Sequence, residues 1–546
     1  MLHGRMMEMP LTISSIIDYA ADVRSDSELV SKRVEGDIHR YTYADAHRRT
    51  CQLAHVLKSM GIKEGDRVAT LAWNGYRHFE LYFSISGIGA VCHTINPRLF
   101  ADQIVYIINH ANDRILFVDT TFLPIIVSLL DRLPKDLKFV ALCDRNDLPE
   151  CEIPNLYCFD DLLEGQPTSF SWPILDERAA SALCYTSGTT GNPKGVLFSH
   201  RSTLLHTFGM MVFAADVGLN PSAVVLPVVP FFHANAWGLP FAVPLLGAKF
   251  VLPGPGLDGK SLFDLMDAEG VTSAWGVPTI WLGLLAEMRL IGRKPKDFQY
   301  MLVGGSAVPR SMIAEFEMDF DVRVVHGWGM TETSPIGSTT TFGPTMRALP
   351  LEKQVDLKVA QGRRMYSVDL RIVDDVGTLL PNDGKTSGEL QVRGHAVMNG
   401  YFEDNDASDA ALTDDGWLRT GDVAKIDEDG FMSLVDRTKD VIKSGGEWIS
   451  SIDLENAAQG HSSIKECAVI AASHPKWDER PLLIVVLEDG KSVTREEIRD
   501  YLTDKVAKWW LPDDVVFIDE LPHTATGKIS KLTLRKRFAK HTLSTI

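Results

Sequence analysis

Tyr185-Thr-Ser-Gly-Thr-Thr-Gly-Asn-Pro-Lys-Gly-Val196 is the stretch on which the reading of this chain turns. Leu183–Tyr185 is strand-like, and the loop after it gathers glycines (Gly188, Gly191, Gly195), hydroxyls (Thr186, Ser187, Thr189, Thr190) and one cation, Lys194. Glycines let backbone N–H groups turn toward an anion, hydroxyls add donors and a lysine supplies charge, so the composition suits a polyphosphate. The spacing is not that of a Walker A loop. On these residues alone a flexible surface loop is the alternative.

Working outward, the preceding segments alternate. Tyr43–Met60 has helical periodicity ending near Gly61, and Gly65–Asp66 leads into a strand over Arg67–Trp73. Helical patterns over Phe79–Ala90 and Ile104–Asn109 precede a strand at Ile115–Val118. Such alternation predicts an α/β fold, a large body of sandwiched, mostly parallel sheets. Ser222–Gly254 is the most apolar region and lacks acids and arginine, but Pro227, Pro230, Pro240, Pro244 and Pro253 break it. A buried strand-and-loop region lining a pocket fits it better than a membrane span. Val368–Arg393 changes to short alternating strands with Gly/Asp turns, a small β-rich subdomain. The tail reads as a compact α+β unit with strands at Glu466–Ala472, Leu482–Leu487 and Val515–Phe517 and a helix from Thr494 to Lys508.

The 546 residues carry 55 Lys and Arg against 72 Asp and Glu, a formal net charge of −17, with 45% hydrophobic and 23% charged residues. This is a globular composition, and it excludes disorder and nonspecific nucleic-acid binding by a basic surface. The excess is uneven. From Arg437 onward 17 basic residues face 17 acidic ones, and Leu521–Ile546 holds six Lys and Arg with no acid. A phosphate-rich substrate must be held by local cations against the mean field. Seven scattered cysteines without CxxC or Cys/His spacing argue against a disulfide framework or structural zinc and for a reducing cytoplasm. Met1–Ala20 has no basic start followed by an apolar run, so no secretory signal is expected.

Gly254-Pro-Gly-Leu-Asp-Gly259-Lys260-Ser261 does satisfy the Walker A spacing, between a strand-like Ala248–Leu252 and a helix-like Leu262–Ala268. Pro255 removes a backbone N–H that a phosphate nest would use, and an ordinary strand-to-helix turn is the better reading.

Five more segments follow the first loop in order: Gly304-Gly-Ser-Ala-Val-Pro309, His326-Gly-Trp-Gly-Met-Thr-Glu-Thr333, Trp417-Leu-Arg-Thr-Gly-Asp422, Asp436-Arg-Thr-Lys-Asp440 and Thr526-Gly-Lys528. In Thr331-Glu332 a carboxylate beside a hydroxyl suits a hard cation, although such a pair also starts helices. Together the six segments resemble the adenylate-forming superfamily of acyl-CoA synthetases, adenylation domains and luciferases, over nearly the whole chain. The resemblance implies ATP, Mg2+ and coenzyme A, with a body over residues 1–436, a hinge at 437–440 and a mobile C-terminal domain over 441–546. It makes Glu332 the magnesium ligand, Thr331 a phosphate contact, and Trp328 the aromatic beside adenine, where family members often carry Tyr. The loop Thr186–Gly191 with Lys194, the segments Gly304–Ser306 and His326–Gly327, and Asp422 and Arg437 at the ribose complete the nucleotide site. Lys528 is the implied catalytic cation between carboxylate and α-phosphate, Lys439 the hinge residue, and Lys443 with Gly445, Gly446 and Glu447 the approach to AMP and the pantetheine tunnel.

Pro230-Phe-Phe-His-Ala-Asn-Ala-Trp-Gly238 resembles the segment that lines the acyl pocket. His233 is implied as a catalytic group at the carboxylate or at the approach of CoA, with Trp237, Gly304, Met330 and Pro335 around the acid. No acid lies in Pro227–Pro240 to pair with a substrate ammonium, so a neutral, apolar acyl tail is favoured, and Trp237 is large enough to shorten the pocket. His-Ala-Asn-Ala-Trp-Gly-Leu-Pro240, the Gly254–Ser261 text and Gly276-Val-Pro-Thr-Ile-Trp281 are similar to the subgroup of medium-chain fatty acyl-CoA and methylmercaptopropionate-CoA ligases. The implied reaction converts such an acid to its CoA thioester through acyl-AMP, releasing AMP and pyrophosphate. Transfer to a carrier protein in trans is the alternative, and a homodimer is a family expectation.

Overall fold

A computed structural model describes residues 1–186, 192–444, 447–523 and 529–543, apart from the side chains at 447 and 448. Among the described residues there are four sheets. The first has seven strands in the order Tyr157–Cys158, Lys138–Ala141, Ile115–Val118, Arg67–Leu71, Val91–Thr94, Ala180–Thr186 and Lys194–Ser199, parallel except for the last pair. The second has nine strands. Its parallel centre runs Arg323–Gly329, Tyr300–Gly304, Ser273–Gly276, Val224–Pro227, Lys249–Leu252 and Glu28–Lys32, with antiparallel strands at both edges.

The helix Tyr76–Gly87 lies between these two sheets and is buried at every position. Burial on all sides marks a core element, not a surface helix. Its polar side chains are therefore paired: Arg77 reaches Glu35, Asp144 and Asp160, His78 meets Thr70, and Glu80 holds Arg49. By contrast Tyr43–Ser59 is amphipathic and opens on a capping box, Thr42 accepting the Asp45 N–H at 3.3 Å and Asp45 accepting the Thr42 N–H at 3.0 Å.

Ser222–Gly254 holds more helix than its prolines suggest. Leu239–Leu246 is helical, with Pro240 in its first turn and Pro244 inside. Packing against the helices Ser14–Val23 and His200–Met210 overrides the local propensity. The Gly254–Ser261 text is a capped turn: the Asp258 carboxylate accepts the Ser261 N–H at 2.9 Å, and exposed Lys260 pairs with Asp264 at 2.6 Å. Gly259 is required because a Cβ there would lie 2.1 Å from the Gly283 carbonyl oxygen.

An antiparallel sheet of Val368–Val373, Gly388–Gly394, Leu418–Ile426 and Met432–Arg437 forms the β-rich subdomain. The chain then enters the last sheet, where Ile442–Ser444, Asp478–Leu487 and Ile464–His474 are joined by Asp514–Phe517. The helix expected over Thr494–Lys508 spans only Arg495–Thr503. Beyond it Arg480 donates to the Trp509 carbonyl at 2.7 Å, drawing the chain back onto the sheet as a short 3-10 turn. All seven cysteines are free, and no helix among the described residues is long and apolar enough to cross a membrane.

Candidate active site

Ligands of open parallel sheets gather at the carboxyl ends of the strands. Here Val224–Pro227 leads to His233 and Trp237, Tyr300–Gly304 to Gly305 and Ser306, and Arg323–Gly329 to Met330, Thr331 and Glu332. These residues line one cleft of about 1110 Å3, joined by Thr186 at the end of its strand, by Pro335, and by Asp422 and Arg437, register partners on neighbouring strands. Lys439 lies on the same wall, and Glu455, His523, Ile529 and Lys531 close the cleft from the C-terminal unit.

Glu332 is buried in a short turn at the end of its strand. The Tyr401 hydroxyl donates to its Oε1 at 2.8 Å, and burial pushes its carboxyl above the usual carboxylate range. Tyr401 satisfies one lone pair, which leaves the carboxylate capacity for a cation. The Lys194 ammonium lies 4.9 Å from the centre of the Tyr401 ring, so one tyrosine touches both the exit of the glycine-rich loop and Glu332.

Asp422 is held by two donors. The Trp328 indole N–H donates to its Oδ2 at 3.0 Å, and the Arg437 guanidinium meets Oδ1 at 2.8 Å. Each oxygen keeps a further lone pair, so the carboxylate can still accept hydroxyl donors. The indole fits because residue 337 is glycine: a Cβ there would sit 2.5 Å from the Trp328 ring.

Trp237 is carried on an unusual backbone. Ala234, Asn235, Ala236 and Trp237 all have left-handed φ values of 44°, 53°, 45° and 56°. Each non-glycine residue in that region costs roughly 1–2 kcal/mol, so a run of them needs strong support. The indole borders Gly304 and Gly305, where an added Cβ would lie 3.6 and 3.8 Å from the ring.

Other expected residues fall differently. His326 borders the cleft; its Nδ1–H donates to the Lys358 carbonyl at 3.0 Å, and burial lowers its pKa to about 4, which favours the neutral imidazole. Lys194 stands over the Tyr401 ring and is not among the residues lining the cleft. Lys443 is likewise absent from the lining; it is exposed, and its backbone N–H donates to Glu479 at 2.8 Å. Burial lowers the Lys439 pKa. Ser187, Gly188, Thr189, Thr190, Gly191, Gly445, Gly446 and Lys528 lie outside the described residues, as does the Glu447 side chain.

Sequence reasoning missed Tyr401, Asn235 and Lys531. Burial opposes the Lys531 charge, yet Glu455, 2.8 Å away, and Asp436 hold the ammonium above its ordinary value. Gly400-Tyr401 is a short Gly–aromatic pair with no distinctive spacing, and the partners of all three residues are distant in sequence.

An AMP-binding enzyme pattern matches residues 17–402, and an AMP-binding enzyme C-terminal domain pattern matches 453–528. The chain belongs to the AMP-binding enzyme family. It is an AMP-forming acyl-CoA synthetase, an acid–thiol ligase whose substrates are ATP, CoA and a carboxylic acid. It is 49% identical over 535 residues to a 3-methylmercaptopropionyl-CoA ligase of Ruegeria lacuscaerulensis, covering 98% of each chain. It is 48% identical to a medium-chain-fatty-acid–CoA ligase of Ectopseudomonas oleovorans, covering 98% of this chain and 97% of that one. An anthranilate CoA ligase solved with anthranoyl-AMP superposes with a TM-score of 0.85 at 25% identity, over 97% of this chain and 98% of the other.

Proposed function

We propose that this acid–CoA ligase acts on a short or medium-chain apolar acid, methylmercaptopropionate or a medium-chain fatty acid. The observation that supports this is the position of Trp237, a large indole that lines the cleft beside Gly304 and Gly305, where it would limit the room for an acyl chain. Met330 and Pro335 border the same space.

In the proposed first step the acid's carboxylate oxygen attacks the α-phosphorus of ATP and pyrophosphate leaves in line. Asp422 and Arg437 hold the ribose, Trp328 flanks adenine, and Thr331 with the Thr186–Lys194 loop faces the phosphates. Magnesium fits the donor set, because Mg2+ takes one or two protein carboxylates and completes its shell with phosphate oxygens and water. Glu332 with Thr331 would hold it, and it would supply charge neutralisation at the phosphates. The three-acid cluster found among the described residues, Glu35, Asp144 and Asp147, lies elsewhere, and two of its members, Glu35 and Asp144, pair with Arg33 and Arg77. Lys528 is the proposed stabiliser of charge on the transferring group; support comes from His523 and Ile529, its neighbours in the sequence among the described residues, which both line the cleft. In the second step the CoA sulfur attacks the acyl carbonyl and AMP leaves. His233 and the Lys443–Glu447 loop serve this half-reaction, after rotation about Lys439.

The test is an assay of CoA-thioester, AMP and pyrophosphate across straight-chain acids and methylmercaptopropionate. Acids of short and medium length, methylmercaptopropionate among them, are expected to give the highest kcat/KM, and a preference for long-chain acids would sink the reading. Lys528→Ala is expected to slow acyl-AMP formation by roughly 10²–10³ while sparing thioester formation from supplied acyl-AMP. Equal loss in both halves would remove Lys528 from the adenylation step.

A further inference from the structure

The left-handed turn at residues 234–237 needs something to hold it, and the holding groups come from the opposite sheet layer. We infer that Asn235, with Tyr82, is a positioning residue that sets the length of acid accepted, by locking the turn that carries Trp237. This rests on the reading that Trp237 ends the acyl channel.

Asn235 is buried and does not line the cleft. Its side-chain carbonyl oxygen accepts from the Tyr82 hydroxyl at 3.2 Å and from the Cys184 thiol at 3.5 Å. The Tyr82 hydroxyl has one proton, shared between the nearer Phe231 carbonyl at 2.7 Å and Asn235 Oδ1, so one group touches the segment on both sides of His233. Asn74 fixes the approach, accepting the Phe231 N–H at 2.6 Å and donating to the carbonyls of Pro227 and Val229 at 2.8 and 2.9 Å. Tyr82 stands on the fully buried helix between the sheets, and Cys184 on the strand that ends at Thr186. Backbone bonds from the His233 N–H to the Pro230 carbonyl at 3.0 Å and from the Ala236 N–H to the His233 carbonyl at 3.1 Å shape the turn, and these side chains reference it to the rigid core.

The residue type suits the task. Asparagine tolerates left-handed backbone better than other non-glycine residues and also presents an acceptor. Glycine would adopt the same φ without the acceptor. Two residues later the chain delivers the indole to Gly304–Gly305, so a relaxed turn would withdraw the ring and deepen the channel.

The experiment measures kcat/KM for a series of straight-chain acids with the wild type, Tyr82→Phe, Asn235→Gly, Trp237→Ala and the Asn235→Gly/Trp237→Ala double variant. Tyr82→Phe keeps the ring in the core and removes only the donor. Each clamp variant is expected to raise the ratio of kcat/KM for a ten-carbon over a four-carbon acid by about tenfold, with the KM for ATP unchanged within about twofold. Trp237→Ala is expected to raise the ratio at least as much, and the double variant to match Trp237→Ala alone, since a clamp acting only through the indole adds nothing once the indole is gone. If Trp237→Ala shifts the ratio while Tyr82→Phe and Asn235→Gly lower every acid by one common factor, the clamp is merely structural and the channel-end reading stands. If Trp237→Ala leaves the ratio unchanged, the channel-end reading fails and the positioning role with it.

Discussion

The indole nitrogen of Trp328 gives this position a property that an aromatic hydrocarbon would lack. Its N–H holds one oxygen of Asp422 while Arg437 holds the other, so the carboxylate proposed to meet the ribose cannot rotate freely. Trp328→Phe keeps an aromatic face and leaves a buried carboxylate oxygen without its donor, a loss of about 1–3 kcal/mol. The KM for ATP is expected to rise about tenfold, with the KM for the acid within about twofold. Steady-state kinetics with each substrate varied in turn checks this, and an equal rise in both constants would show a general distortion of the cleft.

At the scale of elements, the segment Met398–Phe402 fastens two parts of the proposed phosphate site together. The Met398 N–H donates to the Glu332 carbonyl at 2.9 Å, the Phe402 N–H to the Gly195 carbonyl at 2.8 Å, and Tyr401 reaches the Glu332 side chain between them. Groups that orient a metal-binding carboxylate typically change metal affinity 10–100-fold when removed. Tyr401→Phe preserves the ring under Lys194 and deletes the hydroxyl; the Mg2+ concentration needed for half-maximal ATP binding is expected to rise about tenfold. Calorimetric titration of ATP at graded Mg2+ measures this directly, and an unchanged Mg2+ requirement would separate Tyr401 from the cation.

The alternating sheet layers were legible because the elements announce themselves locally, Tyr43–Ser59 by its helical period and Ile115–Val118 as a short, wholly apolar run. The motifs at 304–309, 326–333, 417–422 and 436–440 were legible because each is continuous text, and the fold brings residues of all four to one cleft. The contacts that orient them were not: Tyr401 and Glu332 are 69 residues apart, Trp328 and Asp422 94, Tyr82 and Asn235 153. Helix Leu239–Leu246 escaped for a different reason, since its prolines argue against what its buried neighbours impose.

For the molecule as a whole, the junction between body and C-terminal unit is latched by charge. Arg535 pairs with Asp440 beside Lys439, and Lys531 is enclosed by Glu455 and Asp436. Rotation about Lys439 would have to absorb its φ/ψ change within this latched stretch. Lys439→Pro restricts φ there, so pyrophosphate release on acyl-AMP formation is expected to persist while thioester output falls at least about tenfold. Comparing single-turnover pyrophosphate release with CoA-thioester yield tests it, and parallel retention of both would place the pivot at another residue.

The strands Glu28–Lys32 and Ile38–Thr42 belong to the nine-stranded sheet, yet their neighbour there is Lys249–Leu252, with Leu29 opposite Phe250. On the ribosome this hairpin therefore emerges about two hundred residues before the strand it must join. Non-local pairing of this kind is slow, and an unpaired strand edge invites wrong partners while it waits. The order of synthesis thus makes the body a unit that completes late, its sheet closing only after the strand at 249–252 has been made.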